Sequence, residues 1–274
     1  MKFAHVSDID RLLDRQSAAW PLLERGMEGL RSAQSREVFV NGYPVLVRHL
    51  PHRIGSTTAK VDKASVAARP CFLCAANLPA EEEGLQFNDE LTIYCNPFPI
   101  LPRHITIVHR DHRPQRIAGQ AASLIALAEA LPGFFVIYNG AECGASAPDH
   151  LHFQACSSAG LPIVADVLKA EGSTIPNYAR HTQILRNPEA AALEAMIGDP
   201  EPMLNIAAFR AGAETIVVLF PRGKHRPAVF QSGEMTVSPA TIDLCGVVVT
   251  PVEADFMRIT GEDIRSIFEE VTRR

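Results

Sequence analysis

The run His150-Leu151-His152-Phe153-Gln154 sets two imidazoles and a carboxamide at alternate positions. In an extended strand alternate residues share a face, so these three would line one surface while Leu151 and Phe153 enter a core on the other. A neutral imidazole offers one unprotonated ring nitrogen, which can hold a metal or attack an electrophile. A His-x-His pair on an amphipathic strand can equally be a solvated face, and the rest of the chain weighs between the two. Upstream stands Cys71-Phe72-Leu73-Cys74, whose spacing lets both thiolates grip one ion. With Asp111-His112 just after a candidate strand, and with His150, the chain offers two thiolates and two imidazoles, an ordinary tetrahedral zinc set. His109 rivals His112 for the third position, and a pair of packed thiols is the bland alternative. Four protein ligands leave zinc no open position, so the ion would be structural, fixing the strand beside the histidines.

The elements that must hold these residues are short and mostly extended. From about Ser7 to Arg31 apolar residues recur at helical spacing, which predicts one or two packing helices. Glu37 to Val40 and Tyr43 to Val47 flank Asn41-Gly42, the dipeptide best suited to positive φ, and read as a hairpin. A polar stretch from His52 to Ala68 leads into the cysteine pair. Leu91 to Tyr94 and Ile105 to Val108 read as strands around the proline-rich turn Asn96 to Pro102. A helix from about Ile117 to Leu131 precedes the strand Phe134 to Tyr138, a small-residue loop ending at Pro148, and the strand His150 to Cys156. Beyond a helical patch near Asn187 to Ile197 come the β-prone runs Leu204 to Phe209 and Thr215 to Phe220, then a basic turn from Pro221 to Pro227. Cys245 to Val249 and a helix near Gly261 to Thr272 close the chain. This order predicts an α+β fold with a mainly antiparallel sheet flanked by helices.

With 274 residues, 47% of them hydrophobic, the chain can bury one large core or two coupled ones. A net charge of -5 argues against a nucleic-acid surface built on bulk positive charge and favours a small-molecule partner. Met1 to Asp8 carries no apolar leader, and no window has the apolar length to cross a bilayer, so no membrane partner and a cytoplasmic location are expected. Six cysteines in a chain of this length do not make a disulfide scaffold; Cys95, Cys143, Cys156 and Cys245 are expected to pack.

Asn96-Pro97-Phe98-Pro99 through His104 to His112, followed by Asn139-Gly140 through Pro148-Asp149-His150-Leu151-His152-Phe153-Gln154, resembles the histidine triad superfamily. Its transferase branch, which includes galactose-1-phosphate uridylyltransferase, the diadenosine tetraphosphate phosphorylases and the GDP-hexose phosphorylases, is the most similar. The likeness runs from about residue 70 to 156. It extends more weakly to Arg53 to Asp62, a substrate-phosphate segment with Lys60, and to Asn205 to Val249. The resemblance implies a HIT-like fold over residues 1–274, with 35–160 carrying the motif and 200–274 packing on it. It makes His152 the nucleophile, His150 a zinc ligand and Gln154 a donor to a phosphate oxygen. Asn139, Gly144 and Ser146 fall on the phosphate-binding loop, with His104, Lys60 and Arg53 also on the substrate side. Cys71, Cys74 and His112 match the uridylyltransferase zinc site. The implied partners are a nucleotide or nucleotide sugar and phosphate, with a homodimer admissible because relatives are often dimers.

Chemistry points the same way. An imidazole that attacks an α-phosphorus forms a nucleotidyl-histidine intermediate and splits one hard displacement into two easier ones, and a nearby backbone carbonyl would keep its other nitrogen protonated. An amide at Gln154 cannot give up a proton, so the leaving group must depart as a stable anion such as a phosphate or sugar phosphate. Backbone amides of Gly144 to Ser146, the Ser146 hydroxyl and the Gln154 amide would stabilise charge on the nonbridging oxygens. Lys60, Arg53 and the cluster Arg222, Lys224, His225, Arg226 either hold a second phosphate-bearing substrate or form a solvated face. The leading expectation is phosphorolysis of, or exchange with, a nucleoside diphosphate hexose. A dinucleoside polyphosphate phosphorylase and a non-catalytic nucleotide-binding module are the alternatives, and Gln154 disfavours a hydrolase.

Overall fold

The computed structural model describes residues 4–273. Met1 to Phe3, at the head of the N-terminal stretch read for a leader, lie outside the described residues, as does Arg274. Asn41 and Gly42 take φ of 52° and 87° and turn β1 (Gln34–Val40) back onto β2 (Tyr43–His49), as a two-residue hairpin requires. The strands that follow are β3 (Leu85–Gln86), β4 (Leu91–Cys95), β5 (Ile105–His109), β6 (Phe134–Asn139) and β7 (His152–Ser157). The carboxyl part adds β8 (Gln183–Arg186), β9 (Leu204–Ala211), β10 (Glu214–Pro221) and β11 (Val247–Thr250).

Among the described residues these strands form two sheets. One has eight strands in the order β3-β4-β5-β7-β6-β9-β10-β8, with every pairing antiparallel. The other has three, β1-β2-β11, in which β11 joins β2 in parallel. The expected α+β architecture with a mainly antiparallel sheet is the one observed. β6 pairs with β9, so the motif-bearing strands and the carboxyl strands share one sheet.

Alternation along the central strands sends side chains into two cores. Val136, Tyr138, Phe153 and Ala155 face a core covered by the helices Val6–Ala19, Pro21–Arg31 and Ala121–Ala130, through Ile9, Leu12, Leu23, Leu124 and Leu127. Phe135, Ile137, Cys156 and Ala207 face the other core, closed by Val45, Val47 and Val247 of the small sheet and by Ile264, Ile267 and Phe268 of the helix Gly261–Val271. Each of the Val, Leu, Ile and Phe side chains among these contributes about 1.5–3 kcal/mol by leaving water, so the central strands are firmly anchored where they end at the site. Cys95, Cys143, Cys156 and Cys245 are buried free thiols, as packing residues should be. No helix among the described residues is long and apolar enough to cross a membrane.

Candidate active site and metal cluster

β7 begins at His152, two residues later than the pattern predicts, so His150 and Leu151 enter it from the preceding turn. Leu151 and Phe153 are nonetheless buried in the helix-covered core, while Gln154 emerges half-buried on the opposite face. The ring of His152 is buried, and its Nδ1 donates to the His150 carbonyl at 2.8 Å. That bond places the proton on Nδ1 and leaves the electron pair on Nε2. Burial also lowers the ring's pKa to about 4, so it is neutral near pH 7.

The main chain of His152 is held by a residue that sequence reasoning missed. β6 and β7 pair as far as Ile137 and Gln154; beyond that the side chain of Gln115 lies between them. Its Nε2 donates to the carbonyls of Asn139 and His152 at 2.8 and 3.0 Å, and its Oε1 accepts the His152 N–H at 2.8 Å. Gln115 thus supplies the ladder bonds that the separating strands give up. A single glutamine in a polar loop gives no sequence signal for this.

Gln154 is oriented from behind by His104. The Ile100 N–H donates to His104 Nδ1 at 3.1 Å, so the proton sits on Nε2 and goes to Gln154 Oε1 at 2.8 Å. His104 is 1% exposed and burial lowers its pKa to about 3, which keeps the ring neutral. The Gln154 NH2 is therefore the end left for the cavity. Asn139 is fixed in the same sense, because its Oδ1 accepts the Thr241 N–H at 3.0 Å.

Around these two amides lies a cavity of about 70 Å³, walled by Arg53, Ser146, His225, Arg226 and Asp243 among others. Such a volume takes roughly five waters, so it admits a phosphoryl group and not a whole nucleotide. Val61 lines both this cavity and a wider groove of about 560 Å³, whose lining mixes Val66, Ala67, Ala141 and Pro148 with the charged Lys63, Arg69, Glu142 and Asp149. Gly144, at φ 101°, adopts a conformation that favours glycine, and a Cβ there would come within 2.8 Å of the Ala240 Cβ, so the loop lies directly against the carboxyl half. Arg53 donates to the Phe98 carbonyl at 2.6 Å, and its buried Nε has no partner among the described residues. Burial lowers its pKa to about 10, leaving it charged near neutrality.

Four sequence-derived candidates stand elsewhere. Arg226 donates to the carbonyls of Thr57 and Ala59, both at 2.9 Å, and this clamp turns Ala59 and Val61 to the cavity; Lys60 is exposed and outside its lining. His104 acts through Gln154 from beneath the lining. Arg222, read as part of a basic surface cluster, is buried, and Lys224 is paired with Glu270 at 2.5 Å.

On the far side of His150, ligand atoms of Cys71, Cys74, His112 and His150 all lie within 4.8 Å of one another and could hold a metal ion. The sulfur-to-Nδ1 distances are 3.3 Å for Cys71 to His150, 3.6 Å for Cys74 to His150 and 3.2 Å for Cys74 to His112. His150 Nε2 donates to the His109 carbonyl at 2.7 Å, which leaves Nδ1 unprotonated toward the thiols. The ring of His109 is committed elsewhere, with Nδ1 accepting the Asp111 N–H at 3.0 Å, so His112 is the imidazole that joins the cluster.

Residues 12–157, just over half of the chain, match the family described as "Domain of unknown function (DUF4922)". No protein of curated function matches by sequence. Among solved structures, yeast Ap4A phosphorylase Apa2 in complex with Ap4A is similar, with a TM-score of 0.68 at 14% identity over 99% of this chain and 98% of that one. Its complex with AMP gives 0.66 at 14% over 98% and 97%, and a further crystal structure of the same yeast protein gives 0.62 at 14% over 92% and 97%. At this identity the likeness is one of fold.

Proposed function

The chain belongs to the DUF4922 family, whose description assigns no activity, and from the geometry of its site we propose that it is a phosphorylase that transfers a nucleotidyl group through His152. The observation that carries this reading is the Nδ1–H bond of His152 to the His150 carbonyl, which leaves the Nε2 electron pair free for attack, two residues along β7 from Gln154, which lines the cavity with Asn139.

In the first step Nε2 attacks the α-phosphorus, the P–N bond forms, and the P–O bond to the leaving phosphate breaks with its electron pair on oxygen. A leaving phosphate monoester or polyphosphate needs no proton, which matches the absence of an acid at Gln154. The amides of Asn139 and Gln154, with Ser146 and Arg53, stabilise charge on the phosphoryl oxygens. In the second step a phosphate oxygen attacks, the P–N bond breaks and the pair returns to Nε2. The Nδ1 proton stays on the ring, hydrogen-bonded to the His150 carbonyl, throughout.

The Cys71, Cys74, His112 and His150 set fits zinc: bonds of about 2.3 Å to sulfur and about 2.0 Å to nitrogen give tetrahedral edges of about 3.5 Å between them, close to the distances in the cluster. Zinc would be structural here, holding His150 and hence the carbonyl that sets the His152 tautomer. The sheet shared by both halves supports reading the chain as one unit.

The substrate class we assign is a nucleoside diphosphate hexose, with the wider groove taking what lies beyond the phosphates. The full-length fold likeness to Ap4A phosphorylase favours a second reading, a dinucleoside polyphosphate. The test is a screen of α-labelled nucleotide sugars and dinucleoside tetraphosphates, with and without inorganic phosphate, on wild type and His152→Ala. Phosphate-dependent turnover with label trapped on wild type alone supports the proposal, and the products name the substrate. Binding with neither label nor turnover means a nucleotide-binding module.

A further inference from the structure

Behind the wall of the cavity at Asn139 a chain of hydrogen bonds runs from Arg222 through Asn205 to Asn139, with Thr241 Oγ1 beside it at 2.7 Å from Asn139 Oδ1 and 2.9 Å from Asn205 Nδ2. Asn139 Oδ1 accepts from Asn205 Nδ2 at 2.8 Å as well as from the Thr241 N–H at 3.0 Å. Asn205 Nδ2 also reaches the Cys143 carbonyl at 3.0 Å, and Asn205 Oδ1 accepts from Arg222 Nη1 at 2.5 Å. Peptide N–H and guanidinium groups can only donate and a carbonyl can only accept, so neither carboxamide can be turned over. The two asparagines are direct cross-strand neighbours on β6 and β9, which fixes the contact in the sheet.

Arg222 is 1% exposed and has no carboxylate among its acceptors. Its remaining donors go to the carbonyls of Val271, Lys224, His225 and Pro239, at 2.9 to 3.1 Å. A buried cation whose hydrogen-bond acceptors are all neutral projects its field along a chain of oriented amides that leads away from it, and each bond in such a chain polarises the next; the Asp243 carboxylate acts on Arg222 through space, without a hydrogen bond. Here the chain ends at the Asn139 Nδ2, on the cavity wall.

We infer that Arg222 and Asn205 are positioning residues that aim and polarise the Asn139 amide toward a bound phosphate oxygen, so that Arg222 charges a phosphate site whose lining it does not join. This rests on reading the cavity as a phosphate site. It explains why an arginine in a basic turn is buried while its neighbours His225 and Arg226 line the cavity.

The test titrates inorganic phosphate into the full-length protein, followed by calorimetry and by the side-chain amide resonances, the Asn139 pair being assigned by its loss in Asn139→Ala. Asn205→Asp keeps an acceptor for Arg222 but cannot donate to Asn139; Asn205→Ser interrupts the chain without adding charge. Both are expected to bind phosphate at least about tenfold more weakly while retaining a cooperative melt. The Asn139 amide pair is expected to shift with phosphate in wild type and not in Asn205→Ser, a response that a purely structural role would not give. If Asn205→Asp does not fold, Asn205→Ser decides. Unchanged affinity in a folded variant, an Asn139 resonance indifferent to phosphate, or a wild type that does not bind phosphate overturns the inference. A wild type that binds phosphate through Asn139 but is never labelled by nucleotide defeats the transferase reading and leaves this one standing.

Discussion

The His150 carbonyl accepts the Nδ1 proton of His152 at 2.8 Å, while the His150 ring faces the Cys71 thiol at 3.3 Å and is held from behind by the His109 carbonyl. One residue therefore belongs both to the Cys71, Cys74, His112 and His150 cluster and to the support of the His152 ring. Cys71→Ser should abolish binding of about one zinc per chain and destabilise the fold by about 3 kcal/mol, a fall in Tm of roughly 6–12 °C. Labelling of His152 should fall with it, since a loosened His150 no longer holds the tautomer. Metal analysis and melting curves check this; a variant that loses zinc with unchanged Tm and labelling would refute the coupling.

Gln154→Glu tests the amide. The carboxylate can still accept from His104, but it faces the cavity with a negative charge where an N–H donor stood. Removing one such donor costs about 10²–10³-fold in turnover, and the added charge should put the loss at the upper end. The measurement is the rate of label transfer at saturating nucleotide, with Tm as control. A variant within about threefold of wild type would show that Gln154 does not bear on the reacting phosphate.

Stability should fall on the acid side because three imidazoles are held neutral. The unfolded chain protonates them below about pH 6.5, whereas the folded one keeps His104 neutral down to about 3 and His152 and His225 down to about 4. Through these groups the unfolded state binds more protons in this window, and stability decreases as pH drops through it. Asp243, pushed up to about 6, and Glu82, pushed up to about 7, both by burial, oppose this by holding protons in the folded state. The net slope below pH 6 is that of about one proton, near 1.4 kcal/mol per pH unit. Melts of wild type and His104→Gln should show the shallower acid limb in the variant, whatever its Tm at neutrality.

What the sequence made legible follows from how local each signal is. The Asn41-Gly42 turn, the apolar strands around Phe135 and Ala207, and the Cys-x-x-Cys spacing all act within a few residues, and each stands where the pattern puts it. The parallel pairing of β11 with β2 joins segments about two hundred residues apart and leaves no local trace. Ile54–Thr57 and Lys63–Ala67 are helices too short to show a period, so that stretch reads as polar coil. At the site, residue types identified the histidines and thiols, but only geometry separates His112 from His109 or shows that Arg222 is buried in a turn of basic residues.

Gln115 illustrates the remainder, and its substitution gives two opposed outcomes. Gln115→Leu leaves the His152 N–H and the carbonyls of Asn139 and His152 without the bonds at 2.8 to 3.0 Å that now satisfy them. Unpaired buried groups cost about 1–3 kcal/mol each, and with partial relaxation the total should be about 3 kcal/mol, or roughly 6–12 °C in Tm. Gln115→Glu keeps the acceptor for the His152 N–H but sets a carboxylate oxygen against two carbonyls. Its carboxyl can satisfy one of them only by keeping a proton, so its folded pKa should be raised above the ordinary value of about 4.3. Stability gained from that proton is lost as pH rises through the raised pKa. The gap in Tm between Gln115→Glu and wild type should therefore be widest near about pH 8 and narrow toward about pH 5, whereas the deficit of Gln115→Leu should stay constant. Parallel melts of the three proteins decide it, and equal pH profiles for the two variants would mean that the side chain only fills space between the strands.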